Sequence, residues 1–296
     1  MLLFAPLAEE KALSQGEFHR MEQMLAALEP KAEQLDGDVT ERELLRLGLE
    51  PDTAQRVLVR LEQEPALKRQ LRALGDKGIV PVTRISAEYP EKIRQTLGGR
   101  GPMLLYCAGN LALFQKECIS LVGSRKLRPK GAAFARELGA AAAREGLVYV
   151  SGGAAGADTA GFFGAMEQGG SAILFVADSL LVRMRQMKRE LDSGRLLLVS
   201  EYGFDLGFSA GRAYSRNRLI HAMGEKTFVA QADYGSGGTW NGTAENLKNG
   251  WSPVFMCNEE PMDRGTRGLI ERGCTPVTSA ELTNILTLET AQTRIF

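Results

Sequence analysis

From about residue 100 onward, short apolar runs alternate with helix-length segments, and that alternation constrains the fold most. The runs are Met103–Cys107, Cys118–Val122, Leu147–Ser151, Ala172–Val176, Leu196–Ser200, Thr227–Ala232 and Pro253–Met256. Between them the pattern predicts helices at Lys130–Glu145, Ala157–Gln168, Val182–Leu191, Arg216–Ala222 and Thr243–Asn249. Strands apolar on both faces and separated by helices imply a mostly parallel sheet covered on both sides, a doubly wound, Rossmann-like α/β fold. Ligands in such sheets bind outside the carboxyl ends of the strands, near the switch point.

Residues 1–76 read as a small all-helical N-terminal domain, and 77–296 as the Rossmann-like domain. Met21, Leu25 and Leu28 recur at helical spacing. Thr40 with Glu43 forms a capping box, and Pro51 can open the next helix, which turns Val57, Leu58 and Leu61 inward. The Leu47-Gly48-Leu49 turn joins two of these helices. Ile79 to Pro90, broken by Pro81 and Pro90, reads as a connection. The end, Ala280 to Phe296, reads as a short helix and tail.

The 36 Lys and Arg balance 36 Asp and Glu, so bulk charge argues against a generic polyanion binder. Its distribution argues the other way. Gly123 to Arg136 holds five cations and no acid, and Arg212 to Arg218 holds three and no acid. Cys107, Cys118, Cys257 and Cys274 form no Cys-x-x-Cys pair, and only His19 and His221 could assist them. No metal site and no cofactor is expected, and the thiols read as reduced. No apolar run is long enough to span a bilayer, and the acidic start is a poor signal peptide, so no membrane association and a cytoplasmic location are expected.

Loops at successive strand ends carry the chemistry. Gly123-Ser124-Arg125-Lys126 follows one strand and precedes a helix, where backbone N–H groups and the helix dipole favour a phosphate. Gly152, Gly153 and Gly156 let backbone approach a ligand, and Asp158 caps the next helix or contacts that ligand. Arg212, Arg216, Asn217 and Arg218 offer a second cationic wall. Gly237, Gly238 and Thr239 add another small-residue loop. Tyr214 or Trp240 would stack bases, with a core position for Trp240 equally consistent. Neither a dinucleotide fingerprint nor a Walker A loop is present.

Taken together, these segments resemble the DNA-processing protein A (DprA/Smf) family over about residues 78 to 277. The resemblance rests on Gly78–Thr83 with Tyr89-Pro90, Pro102–Tyr106 with Gly109-Asn110, Val122–Arg125, Ser151–Asp158, Ser200-Glu201-Tyr202, Arg216–Ile220, and Gly265–Ile270 with Gly273. It implies single-stranded DNA binding, loading of the RecA recombinase during natural transformation and recombination, a homodimer, and no enzyme activity. Gly123, Ser124, Arg125, Gly152, Gly156, Arg216, Asn217 and Arg218 would sit at the DNA pocket. The chain departs from the family at Ala213-Tyr214-Ser215-Arg216 and in the Asp158 helix, and no C-terminal winged helix is expected. An alternative comes from Gly237–Glu245, which is similar to a motif of the LOG-type nucleotide phosphoribohydrolases. There Glu245 would support cleavage of a nucleotide N-glycosidic bond. A nucleotide-binding sensor is a further alternative.

Overall fold

The computed structural model describes residues 13–26, 40–46 and 48–290. Among these residues four helices come first: α1 (Gln15–Ala26), α2 (Glu41–Arg46), α3 (Pro51–Leu61) and α4 (Glu64–Gly75). The Thr40 N–H donates to Glu43 Oε2 at 2.8 Å and the Glu43 N–H donates to Thr40 Oγ1 at 3.4 Å, so the capping box opens α2. Pro51 is the first residue of α3, where its missing N–H has no helical partner to lose. A small core of Leu13, Phe18, Leu44, Leu49, Ala54 and Val57 joins the first three, and Met103 packs against it, whereas Leu74 of α4 belongs to a core beneath the sheet. Met21 and Leu25 fall within α1. Leu28 and Leu47 lie outside the described residues.

The larger part runs β1 (Val80–Thr83), α5 (Glu91–Leu97), β2 (Leu104–Gly109), β3 (Cys118–Val122), α6 (Pro129–Arg144), β4 (Val148–Ser151), α7 (Ala157–Glu167) and β5 (Ser171–Phe175). It continues through α8 (Leu180–Gln186), α9 (Lys188–Asp192), β6 (Leu196–Ser200), α10 (Ala210–Ser215), α11 (Asn217–Met223) and β7 (Lys226–Val229). It closes with α12 (Gly237–Asn249), β8 (Val254–Cys257), α13 (Arg264–Glu271) and β9 (Thr275–Val277). These strands form one nine-stranded sheet in the order β1-β2-β6-β5-β4-β3-β7-β8-β9. From β6 to β9 neighbours are parallel, whereas β2 runs antiparallel to β6 and β1 antiparallel to β2. The α/β doubly wound, mostly parallel architecture is therefore the one the sequence implies.

Alternate strand residues feed two cores. Ile119 and Leu121 pack with Phe134 and Leu138 of α6 and Phe162 of α7 on one face. Cys118 and Val122 pack with Ile93 of α5, Ile220 of α11, Trp240 of α12 and Leu269 of α13 on the other. Each large side chain so buried contributes roughly 1.5–3 kcal/mol. All four cysteines are free and buried. Burial pushes the Cys118 and Cys274 thiols up to about 12, far from a reactive thiolate.

Several elements differ from the sequence expectation. The stretch around Pro81 forms an edge strand, where a missing N–H costs little. Helix α12 begins at Gly237 rather than Thr243. Glycine and threonine are weak helix formers, but Trp240 in the first turns is only 4% exposed, and its burial holds the turn in place. The single helix expected over Val182–Leu191 breaks at Met187 into α8 and α9. The C-terminal stretch contains short 3-10 turns at Ser279–Glu281 and Ile285–Thr287, and residues 291–296 lie outside the described residues.

Candidate nucleic-acid interface

The chain winds from β3 outward through β4 and β5 to β6, then returns to β7 on the other side of β3. The crevice at the carboxyl ends of β3 and β7 is thus the switch point, the place where such sheets leave a gap between oppositely wound connections. A cavity of about 730 Å³ opens there.

One wall is the turn after β3. The Ser124 N–H donates to Gln231 O at 2.9 Å, Ser124 O accepts the Ala157 N–H at 3.2 Å, and Ser124 Oγ accepts the Lys126 N–H at 3.1 Å. Gln231, buried beyond β7, accepts the Arg128 N–H at 2.9 Å and donates to Lys126 O at 3.3 Å. With its backbone held at both ends, the turn leaves Arg125 and Lys126 exposed. The Arg125 guanidinium lies 4.9 Å from the ring centre of Phe208.

The helix following this turn is not the one that meets the cavity. The Arg128 N–H is spent on Gln231, and no residue of α6 lines the space. Helix α12 meets it instead, through Ser236, Gly237, Gly238 and Thr239. No side chain caps its first turn, so its N–H groups and the positive end of its dipole are directed at whatever fills the cavity.

Behind the first wall, the loop after β4 closes on itself. Asp158 Oδ2 accepts the N–H groups of Gly152 at 3.2 Å and Ala154 at 3.1 Å. Gly156 has φ +85°, and a Cβ there would meet Ser124 O at 2.4 Å, so only glycine lets the two loops pack. Gly152 has a different reason. A Cβ on it would stand 1.3 Å from Arg216 Nη1, because the guanidinium of Arg216 lies directly against it.

Arg216 is the unusual group. It is 5% exposed, reaches Asp158 Oδ2 only at 4.0 Å, and its Nε has no hydrogen-bond partner. Burial lowers its pKa against the pull of Asp158, and burial raises that of Asp158 against the pull of Arg216. Neither charge is satisfied by the other at that separation, so the guanidinium retains donors for an anion in the cavity.

The predicted residues divide by position. Gly123, Ser124, Arg125, Lys126, Asp158, Arg216, Asn217, Gly237, Gly238 and Thr239 line this one cavity. Asn217 Nδ2 donates to Gly238 O at 3.2 Å, joining α11 to α12. Gly152, Gly153 and Gly156 do not line it: Gly152 packs against Arg216 and Gly156 against Ser124, whereas Gly153, at φ +64°, faces Leu174. Arg212 points its guanidinium to Gly207 O. Arg218 is held by Glu201 through two bonds of 2.9 and 2.7 Å, and it borders a second cavity of about 640 Å³ beside β2 and β6. Among rings, Tyr214 (42% exposed) lines the cavity, while Trp240 belongs to the core. Phe208, 54% exposed, and Gln231 were not singled out in the sequence. An aromatic between Gly207 and Ser209, away from any apolar run, was the signal available for Phe208.

Comparison with known proteins follows the same lines. The family model described as DNA recombination-mediator protein A matches residues 81–287, more than half of the chain. The chain belongs to the DNA recombination-mediator protein A family. The curated DNA processing protein DprA of Streptococcus pneumoniae (strain ATCC BAA-255 / R6) is 31% identical over 186 residues, 61% of this chain and 65% of that relative. The chain thus spans somewhat less than two thirds of that relative's length. The X-ray structure of DprA from Streptococcus pneumoniae superposes with a TM-score of 0.67 at 24% identity, covering 94% of this chain and 99% of that one. A structure of DNA processing protein A from Helicobacter pylori, described for its single-stranded DNA binding mode, gives a TM-score of 0.58 at 24% identity, over 70% and 94% of the two chains. Both structures speak for the shared fold. Within this family member, no helix among the described residues is long and apolar enough to cross a membrane.

Proposed function

We propose that this protein binds single-stranded DNA in the cavity between β3 and β7 and acts in DNA processing and recombination. The observation that carries the reading is Arg216, a buried guanidinium with an unpartnered Nε beside a cavity that also receives the uncapped N-terminus of α12. Such a site calls for an anion. The exposed cations Arg125 and Lys126 and the exposed rings of Phe208 and Tyr214 extend it from one phosphate to a strand with stackable bases. The family and the description of the Helicobacter pylori relative support the same ligand. Loading of RecA, a homodimeric state, a role in natural transformation and a cytoplasmic location complete the reading on family grounds.

A glycosidase reading through Glu245 is not favoured. Glu245 sits beyond the second turn of α12, accepts the Tyr214 hydroxyl at 3.2 Å, and does not line the cavity. The protein is read as a binder, and incubation with nucleotide monophosphates is expected to release no free base.

Fluorescence anisotropy of a labelled single strand tests the reading. Binding is expected to weaken steeply as salt rises, because bound phosphates release counterions. Arg125→Ala and Arg216→Ala are each expected to reduce affinity while circular dichroism stays native. Absence of binding at low salt, or unchanged affinity in both variants, would overturn it.

A further inference from the structure

Gly265–Ile270, the last segment carrying the family resemblance, takes no part in the cavity. It forms α13, which lies under a layered group of side chains just outside. Tyr234 follows Asp233 of the cavity lining and keeps 48% of its surface exposed. Its ring lies 5.0 Å from that of Trp240, tilted by 56°. The Arg264 guanidinium stands 4.1 Å over the Tyr234 ring, and that of Arg272 stands 5.1 Å over Trp240.

The backbone of α13 is shaped to this group. A Cβ on Gly268 would fall 2.7 Å from Tyr234 Cε2 and 2.8 Å from Trp240 Cη2. A Cβ on Gly265 would fall 1.7 Å from Ala232 O. Two glycines in one short helix let it approach closely enough to wedge the tyrosine against Trp240, with part of the ring in water. The helix is also tied to the basic turn. Asp263 accepts the Thr266 N–H at 2.7 Å as the cap of α13, and Arg128 reaches Asp263 at 3.7 Å. Cations therefore continue from Lys126 in the cavity, through Arg128, to Arg264 above the ring. Asp263 is mostly buried and already paired, so the exposed charges beside the ring are Arg264 and Arg267 together with Asp233 on the cavity side and Glu271 at the far end of α13.

We propose that Tyr234 and Arg264 form an outer subsite for single-stranded nucleic acid, with a base on the ring and a phosphate on the guanidinium, one step beyond the cavity. The inference rests on the single-stranded DNA reading above. A half-exposed ring with a guanidinium stacked over it offers both a surface for a base and a charge for a phosphate, contacts that hold a single strand without reading its sequence.

The test uses the full chain and two labelled oligothymidylates, one short enough to fill only the cavity and one of about 16 nucleotides. Tyr234→Ala is expected to weaken the long probe by roughly 5- to 100-fold and leave the short probe unchanged. Tyr234→Phe, which keeps the ring and its packing on Trp240, is expected to bind both as the parent does. Arg264→Gln is expected to flatten the salt dependence of the long probe by about 0.7 in log–log slope. Equal losses on both probes would mean that the ring only shapes the cavity. No loss on either would mean that it only packs the fold. Each result overturns the outer subsite. Failure of the parent protein to bind either probe is distinct from both, and removes the DNA reading itself.

Discussion

Gly152→Ala places a methyl carbon 1.3 Å from Arg216 Nη1, 1.9 Å from its Cζ and 2.1 Å from Nη2. The backbone at 152 is not left-handed, so alanine is sterically allowed there and the clash falls wholly on the guanidinium. That group sits at the end of a flexible side chain, so it moves rather than the sheet. Overpacking of this kind costs roughly 1–3 kcal/mol in a rigid core, and the lower part of that range is expected. The larger effect is on binding. A charge-assisted hydrogen bond contributes roughly 1.5–3 kcal/mol, so displacing Arg216 should weaken single-stranded DNA by roughly 10- to 100-fold. Anisotropy titrations of Gly152→Ala, Arg216→Ala and the double variant form a cycle. The structure requires strong non-additivity: the three atoms nearest the methyl group all belong to Arg216, so once Arg216 is gone the main clash goes with it, and the double variant should bind like Arg216→Ala. Full additivity would refute the argument, because Gly152 would then be acting on the ligand through its own close approach.

Gly156→Ala is expected to destabilise without a flexible neighbour to yield, since its Cβ meets Ser124 O at 2.4 Å and its φ is +85°. Roughly 1–3 kcal/mol from overpacking and roughly 1–2 kcal/mol from the left-handed backbone should appear as a lower midpoint of thermal unfolding. Arg218→Ala should separate fold from function. It strands the nearly buried Glu201 carboxylate, at a cost of about 3 kcal/mol or more in urea unfolding, while affinity for DNA falls far less than with Arg216→Ala. His221 is held neutral by burial, with its pKa lowered to about 3, and its Nδ1 accepts from Asn246 Nδ2 at 3.0 Å. The unfolded chain takes up a proton near pH 6.5 that the native state refuses, so this stability is present above about 6.5 and is lost as pH falls toward 3. His221→Gln should show a smaller fall in urea midpoint between neutral and acid pH than the parent, and equal falls would contradict the assignment.

The strands at Cys118–Val122 and Leu196–Ser200 were legible to the residue because both are buried on both faces and their apolar runs are unbroken. The strands at Val80–Thr83 and Thr275–Val277 were not. Each contains a proline and lies at a sheet edge, where the local pattern resembles a loop and only the neighbouring strand makes it a strand. In the site, the basic turn and the glycine loops were visible as composition. The helix end that serves the cavity was not. Sequence order points to α6, directly after the basic turn, whereas Gln231 claims the Arg128 N–H and α12 opens into the space.

Arg216 and Arg218 show where the division falls. In the chain they are equivalent: two arginines, two residues apart, in one acid-free stretch. Local pattern determined that a cationic segment follows the strand ending at Ser200, because charge and periodicity are properties of neighbours along the chain. The tertiary structure alone decided that Glu201 neutralises Arg218 while Arg216 is buried against Gly152 without a full partner. Pairing and desolvation depend on distance through space, and two side chains that leave a helical turn on different sides meet different surroundings.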